Sequence, residues 1–276
     1  MPLHRIADWN DAYANRDNIP AGERWPQAWI ASAAEFRARM AQLGRALLDE
    51  RYAGGERNRY DLFLPEGKPA GVLVFVHGGY WMAFDQTVWS HLANGAAERG
   101  YAVAMPTYTL CPQARVGDIT KEIAQAIAAA AGRVAGPLFL AGHSAGGHLV
   151  TRMLCADASL PREVSRRIAH VVSISGLHDL RPLIATRMNE TLRLDETEAK
   201  AESPALLRPR DDVRLTCWVG AAERSEFIRQ NALLANVWVG LGASTQRIEE
   251  PDRHHFNVID GLADPAHPLV RALLLE

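Results

Sequence analysis

From Tyr60 onward, short apolar runs alternate with helix-compatible segments along this chain. A mostly parallel sheet covered on both faces by helices satisfies that pattern, and few other folds do. Residues 72–76, 101–105, 138–141, 168–174 and 214–219 are the apolar runs, read as strands. Residues 59–64 alternate polar and apolar, as an outer strand would, and stop at Pro65. Between them, 86–99, 118–131, 148–156 and 227–238 have helical character. Residues 245–249 make a last strand and 269–275 a closing helix. The fold class expected is α/β, with one domain over 56–276. Two stretches stand outside the alternation. Residues 1–55 carry Trp9, Tyr13, Trp25, Trp29 and Phe36 in a polar background, and 180–212 is rich in Arg and Pro. Segments that long between regular elements are usually functional or disordered, so both are candidates for a small cap over the carboxyl edge of the sheet. The alternative for 1–55 is plain packing on the flank of the sheet.

Two motifs sit directly after two of these strands. His77-Gly78-Gly79-Tyr80-Trp81 follows 72–76, and Gly142-His143-Ser144-Ala145-Gly146 follows 138–141. A Gly-x-Ser-x-Gly string alone is modest evidence, because a chain this long contains one by chance about one time in ten. Its position changes that. Between a strand and a helix, a tight turn would hold Ser144 up at the strand's carboxyl end. The glycine turn after the earlier strand would aim backbone N–H groups at the same spot. An ordinary strand-end turn does not explain the pairing. Together the two motifs describe an acyl-transfer site with Ser144 as nucleophile.

A serine hydroxyl needs a base to take its proton, and the base needs an orienting carboxylate. In the strand–serine-turn–helix arrangement the chain order runs serine, acid, histidine. Of ten histidines, His254, His255 and His267 follow Ser144 by enough chain. His255 is favoured because Phe256-Asn257-Val258-Ile259 could anchor its loop. His254 is the runner-up, and His267 lies in a Pro-flanked stretch. Glu223 is the first carboxylate past the 214–219 strand. Asp179, after 168–174, competes with it, although an N-cap role suits that residue equally well. The oxyanion donors expected are the N–H groups of Gly79, Tyr80 and Ala145, with Gly78 letting the backbone bend. Tyr80, Trp81 and Phe84 are the candidate aromatic lining for a substrate. His77 reads as a brace for its loop, His148 as a partner that satisfies a buried backbone group, and His143 as the unconstrained position of the serine turn.

Composition narrows the function further. At 48% hydrophobic and 22% charged the chain holds enough apolar residues for one sizeable core. A formal net charge of −2 gives no electrostatic case for nucleic acid or an anionic membrane. Cys111, Cys155 and Cys217 are odd in number and widely spaced, which reads as free thiols of a reducing compartment. No Cys/His arrangement has zinc spacing. The N-terminus lacks a signal-peptide pattern, and the alanine-rich stretch 124–131 is too short to span a bilayer. A cytoplasmic protein without metal, whose partner is a small-molecule substrate, is the expectation. A homodimer is left open.

These residues resemble the α/β-hydrolase superfamily, in particular its hormone-sensitive-lipase-like esterases and the kynurenine formamidases (arylformamidases). The resemblance covers Tyr60 to the C-terminus. Its most telling piece is His77-Gly78-Gly79-Tyr80-Trp81: the esterase branch usually has a third glycine where Tyr80 stands, and the formamidase branch has His-Gly-Gly-x-Trp. Val219-Gly220, Glu223 and Glu226-Phe227-Ile228-Arg229-Gln230 resemble that branch's acid loop, and His255-Phe256 its histidine. The branch usually carries aspartate where this chain has Glu223. The resemblance implies an acyl-enzyme mechanism, without metal or organic cofactor, that hydrolyses N-formylkynurenine to formate and kynurenine. A general short-acyl carboxylesterase shares the same motifs. A non-catalytic ligand-binding protein of this fold would need to have lost a triad member.

Overall fold

The computed structural model describes residues 5–275, so the reading of the extreme N-terminus lies partly outside the described residues. One sheet holds β1 (Ala46–Arg51), β2 (Arg59–Phe63), β3 (Val72–Val76), β4 (Ala102–Pro106), β5 (Leu138–His143), β6 (Ile168–Ile174), β7 (Arg214–Gly220) and β8 (Ser244–Glu250). Their order across it is β1-β2-β4-β3-β5-β6-β7-β8. β2 pairs antiparallel with both β1 and β4, and every pairing from β4 to β8 is parallel. The helices are α1 (Trp9–Ala12), α2 (Trp25–Gln42), α3 (Asn94–Glu98), α4 (Val116–Arg133), α5 (Ala145–Arg152), α6 (Arg162–Ser165), α7 (Asn189–Leu192), α8 (Glu196–Ala201), α9 (Ser225–Val239) and α10 (Pro268–Leu273).

The period of two in a strand divides the core into two layers. Val72, Val74 and Val76 of β3 face one layer with Leu138 and Leu140 of β5, Ile119, Ile123 and Ile127 of α4, Leu149 of α5 and Trp238 of α9. Leu73, Phe75 and Phe139 face the other, with Trp29, Phe36 and Met40 of α2 and Leu269, Val270 and Leu273 of α10. Each fully buried Val, Leu or Phe contributes about 1.5–3 kcal/mol, so burial on both faces makes β3 to β5 the rigid centre of the molecule. From β3 the chain moves outward to β4, then returns to the opposite side of β3 to form β5. Sheets of this kind bind ligands outside the carboxyl ends of the strands at such a reversal. Both motifs emerge there, because Val76 pairs with Gly142 in register.

Two sequence expectations change. The segment 1–55 is not wholly outside the sheet: β1 forms its edge, and α2 covers one of its faces. The stretch from α1 to about residue 18 meets the 180–212 segment where Arg187 N–H donates to Asn10 Oδ1 at 2.8 Å. The helix expected over 86–99 is broken into two 3-10 turns, Gln86–Val88 and Ser90–Ala93, before α3. Trp89 is the cause. Its ring is buried 4.6 Å from that of Trp29, and its backbone leaves helical geometry to place it there. Among the described residues, no helix is long and apolar enough to cross a membrane. Cys111, Cys155 and Cys217 are buried and unbridged.

Candidate active site

β5 runs into Ser144, and α5 starts at the next residue. Ser144 sits at φ 55°, ψ −116°, a backbone conformation that side chains disfavour at a cost of about 1–3 kcal/mol. The surroundings hold it there: Ser144 N–H donates to Ile174 O at 2.8 Å, and Ser144 O accepts His148 N–H at 3.1 Å. Gly146 is required by close approach, since a Cβ on it would lie 1.9 Å from Val76 O. Ala145 is the first residue of α5, so its N–H has no partner within the helix and lies at the positive end of the helix dipole. Among the described residues, no hydrogen bond joins the Ser144 hydroxyl to His255. Such contacts often tighten only when substrate is bound.

The glycine turn after β3 lies against this elbow: a Cβ on Gly78 would be 3.0 Å from Ser144 Cβ. Gly79 has φ 112°, and Tyr80, Trp81 and Phe84 also have positive φ, at 50°, 57° and 72°. The turn's own bonds run from Met82 N–H and Ala83 N–H to Gly79 O, which leaves the N–H groups of Gly79 and Tyr80 outside them. His77 braces the turn. Its Nδ1–H donates to Gly78 O at 2.7 Å, its ring stacks on Tyr108 at 4.5 Å, and burial pushes its pKa down to about 4. Trp81 does not line a substrate site. It is 0% exposed, edge-on to the His148 ring at 5.1 Å. The left-handed backbone at Trp81 turns the ring into the core instead of the cleft. Tyr80 and Phe84 are half-buried, and the Phe84 ring packs against Gly79, Trp29 and Trp89. His148 Nε2–H donates to Glu202 O at 2.7 Å, so it satisfies a buried backbone group as expected.

The acid loop leaves β7 at Gly220, and Glu223 turns back beneath the histidine. Glu223 Oε2 accepts His255 Nδ1–H at 2.7 Å. Its Oε1 accepts the Ser175 hydroxyl at 2.5 Å and Gly220 N–H at 2.9 Å. Both oxygens are occupied by donors, so the carboxylate has one orientation. The His255 ring lies between Phe227, at 4.4 Å, and His143, at 4.6 Å, with Nε2 as its remaining nitrogen. Asp179 is elsewhere. Arg181 donates to it at 2.9 and 2.8 Å. Burial would raise the pKa of this carboxyl, but the Arg181 hydrogen bonds and charge outweigh it and hold the group below its ordinary range. His254 Nδ1 accepts the N–H groups of Phe256 and Asn257, and His267 Nδ1 caps α10 at Leu269 N–H.

Two participants escaped the sequence reading. Ser175 orients Glu223, and the only signal for it is a hydroxyl at the end of the 168–174 run. His143 is not unconstrained. Its Nε2–H donates to His255 O at 2.9 Å, tying the histidine loop to the serine turn. Burial and the neighbouring His255 push the His143 pKa well down, so the ring stays neutral and keeps the proton it donates.

The arrangement at Glu223 makes a prediction about the acid. In Glu223→Gln, Ser175 and Gly220 still require an acceptor at Oε1, so the amide oxygen goes there and the NH2 faces His255. The ring then accepts at Nδ1 and carries its proton on Nε2, the wrong tautomer for a base. Turnover should fall by at least about two orders of magnitude, while Asp179→Asn stays within about tenfold of the parent. Steady-state kinetics with an aryl acetate reads the order, and Asp179→Asn as the worse of the two would refute the assignment.

Residues 73–255 match the family described as the alpha/beta hydrolase fold. The chain belongs to that family. Among α/β-hydrolase relatives, it is 26% identical to the kynurenine formamidase of Danio rerio over 260 residues, covering 90% of this chain and 87% of that one. It is 28% identical to the kynurenine formamidase of Drosophila melanogaster over 236 residues, covering 80% and 74%. A crystal structure from a Silicibacter species, carrying a provisional thioesterase assignment, superposes with a TM-score of 0.92 at 49% identity over 97% of this chain and 99% of that one. Esterase B of Lactobacillus rhamnosis superposes at 0.65 with 16% identity, covering 90% and 93%, a likeness of fold alone.

Proposed function

We propose that this hydrolase cleaves a small aryl N-formyl amide through an acyl-enzyme formed on Ser144. The observation that carries the reading is the Glu223–His255 hydrogen bond of 2.7 Å, which leaves Nε2 to act as base on a loop that His143 ties to the strained serine turn. The formamidase relatives, aligned over most of the chain, supply the substrate class. Ser144 Oγ attacks the formyl carbon as His255 Nε2 takes its proton, and the imidazolium is stabilised by Glu223. The N–H groups of Gly79, Tyr80 and Ala145 hold the oxyanion. His255 returns the proton to the departing arylamine nitrogen, and the C–N bond breaks. Water, deprotonated by His255, then attacks the formyl ester, and the imidazolium returns that proton to Ser144 Oγ as formate leaves.

A formyl group is small and the leaving group is wide and planar, so the site should be tight on the acyl side. Tyr80 and Phe84 are the aromatic residues proposed to face the leaving group. Stacking on them would contribute about 0.5–1.5 kcal/mol beyond area burial, a several-fold preference for aryl over alkyl leaving groups. A panel of N-formylkynurenine, aryl esters of increasing acyl length, an alkyl acetate and an acyl thioester tests this. Specificity constants should fall steeply beyond acetyl, and N-formylkynurenine should be turned over at least as well as aryl acetates. A flat profile to long acyl chains without formamidase activity would mark a general esterase. Preference for the thioester would favour the assignment carried by the Silicibacter structure.

A further inference from the structure

We propose that residues 9–18 form a strap that positions the oxyanion loop, with the Tyr80 hydroxyl as the coupling group. The inference rests on the serine-hydrolase reading. Tyr80 donates its hydroxyl proton to Tyr13 O at 2.6 Å, and the same oxygen accepts Asn15 Nδ2–H at 3.1 Å. Burial raises the Tyr80 pKa, so the hydroxyl keeps this proton at any working pH. The rest of the loop is anchored to the scaffold. Trp81 O accepts Cys111 N–H at 2.8 Å, and Arg57 donates to Phe84 O at 2.5 Å and to Tyr108 O at 2.8 Å. Tyr80 lies between those anchors with φ 50°, and its side chain is tied to the strap. The strap thus fixes the residue whose N–H is a proposed oxyanion donor.

The same strap reaches the acid and base. The Tyr13 hydroxyl donates to buried Glu226 at 2.9 Å, which also receives Gln230 Nε2–H at 2.8 Å and the Arg229 guanidinium at 2.6 and 2.7 Å. The Tyr13 ring meets Phe227 edge-on at 5.9 Å, and Phe227 lies against His255 at 4.4 Å. Arg224, next to Glu223, pairs with Asp11 and donates to Asn18 Oδ1 at 3.2 Å. A local helix would need none of these attachments. Through Tyr13 the oxyanion loop and the start of α9 share one support outside the sheet.

The test uses the full-length parent, Tyr80→Phe and Asn15→Ala. It reads kcat and KM for 4-nitrophenyl acetate, the rate of inactivation by an aryl phosphonate with the adduct located by mass, and Tm. Tyr80→Phe removes both hydrogen bonds and keeps the ring. Its kcat and its inactivation rate should fall together by about tenfold, with KM within about twofold, because a displaced donor weakens the transition state more than the ground state. Asn15→Ala removes one bond and should lose about two- to threefold in kcat, which keeps the test open if Tyr80→Phe fails to fold. A merely structural role would lower Tm and leave kcat and the inactivation rate unchanged in the folded variants. That result would overturn the strap. A parent that takes no adduct at Ser144 would instead overturn the hydrolase reading, and the strap's role with it.

Discussion

Ser144→Ala is expected to fold normally and to lose at least about three orders of magnitude in turnover of aryl acetate and N-formylkynurenine. The size follows from the proposed covalent route. Without the hydroxyl there is no acyl-enzyme, and the remaining N–H donors can stabilise only direct attack by water, which is a far weaker catalyst. Stability should change little. The elbow is held by backbone bonds, Ser144 N–H to Ile174 O and His148 N–H to Ser144 O, which alanine keeps, and alanine meets the same left-handed backbone as serine. Single-turnover and steady-state assays, with Tm as the control for folding, check it. Retention of more than about a tenth of the parent rate in a folded variant would remove the covalent mechanism.

His255→Ala should match the serine variant, because His255 is the proposed base and a nucleophile and its base act as a unit. His254→Ala should stay within about tenfold of the parent. The neighbouring histidine has a different job: its Nδ1 accepts two backbone N–H groups of its own turn, and its ring meets Trp25 edge-on at 5.1 Å. Loss of that ring loosens the loop but leaves Glu223 and His255 paired. Comparable losses in the two variants would mean that the loop, and not the imidazole of His255, supplies what catalysis needs.

The parts legible in the sequence are those whose physics is local. β3 to β7 are buried nearly throughout, so their runs of Val, Leu and Ile announce them. Gly146 stands where a Cβ would collide with Val76 O, so the serine motif is itself a record of the turn's geometry. The parts that were not legible depend on distant chain. β1 is an edge strand with Leu47 and Leu48 partly exposed, and nothing in its own sequence separates it from a loop. Trp81 reads as a cleft residue beside a glycine turn until its positive φ sends the ring inward. Ser175 and His143 acquire their partners from Glu223 and His255, which lie 48 and 112 residues away. The tie from Tyr80 to Tyr13 spans 67 residues and has no local signature at all.

Mass analysis of the phosphonate-treated parent reads directly whether Ser144 becomes covalently acylated. One adduct per chain is expected, on the peptide carrying Ser144, with activity lost in step with labelling and no adduct in Ser144→Ala. Full activity after prolonged treatment, or inactivation with the adduct on another residue, would contradict it.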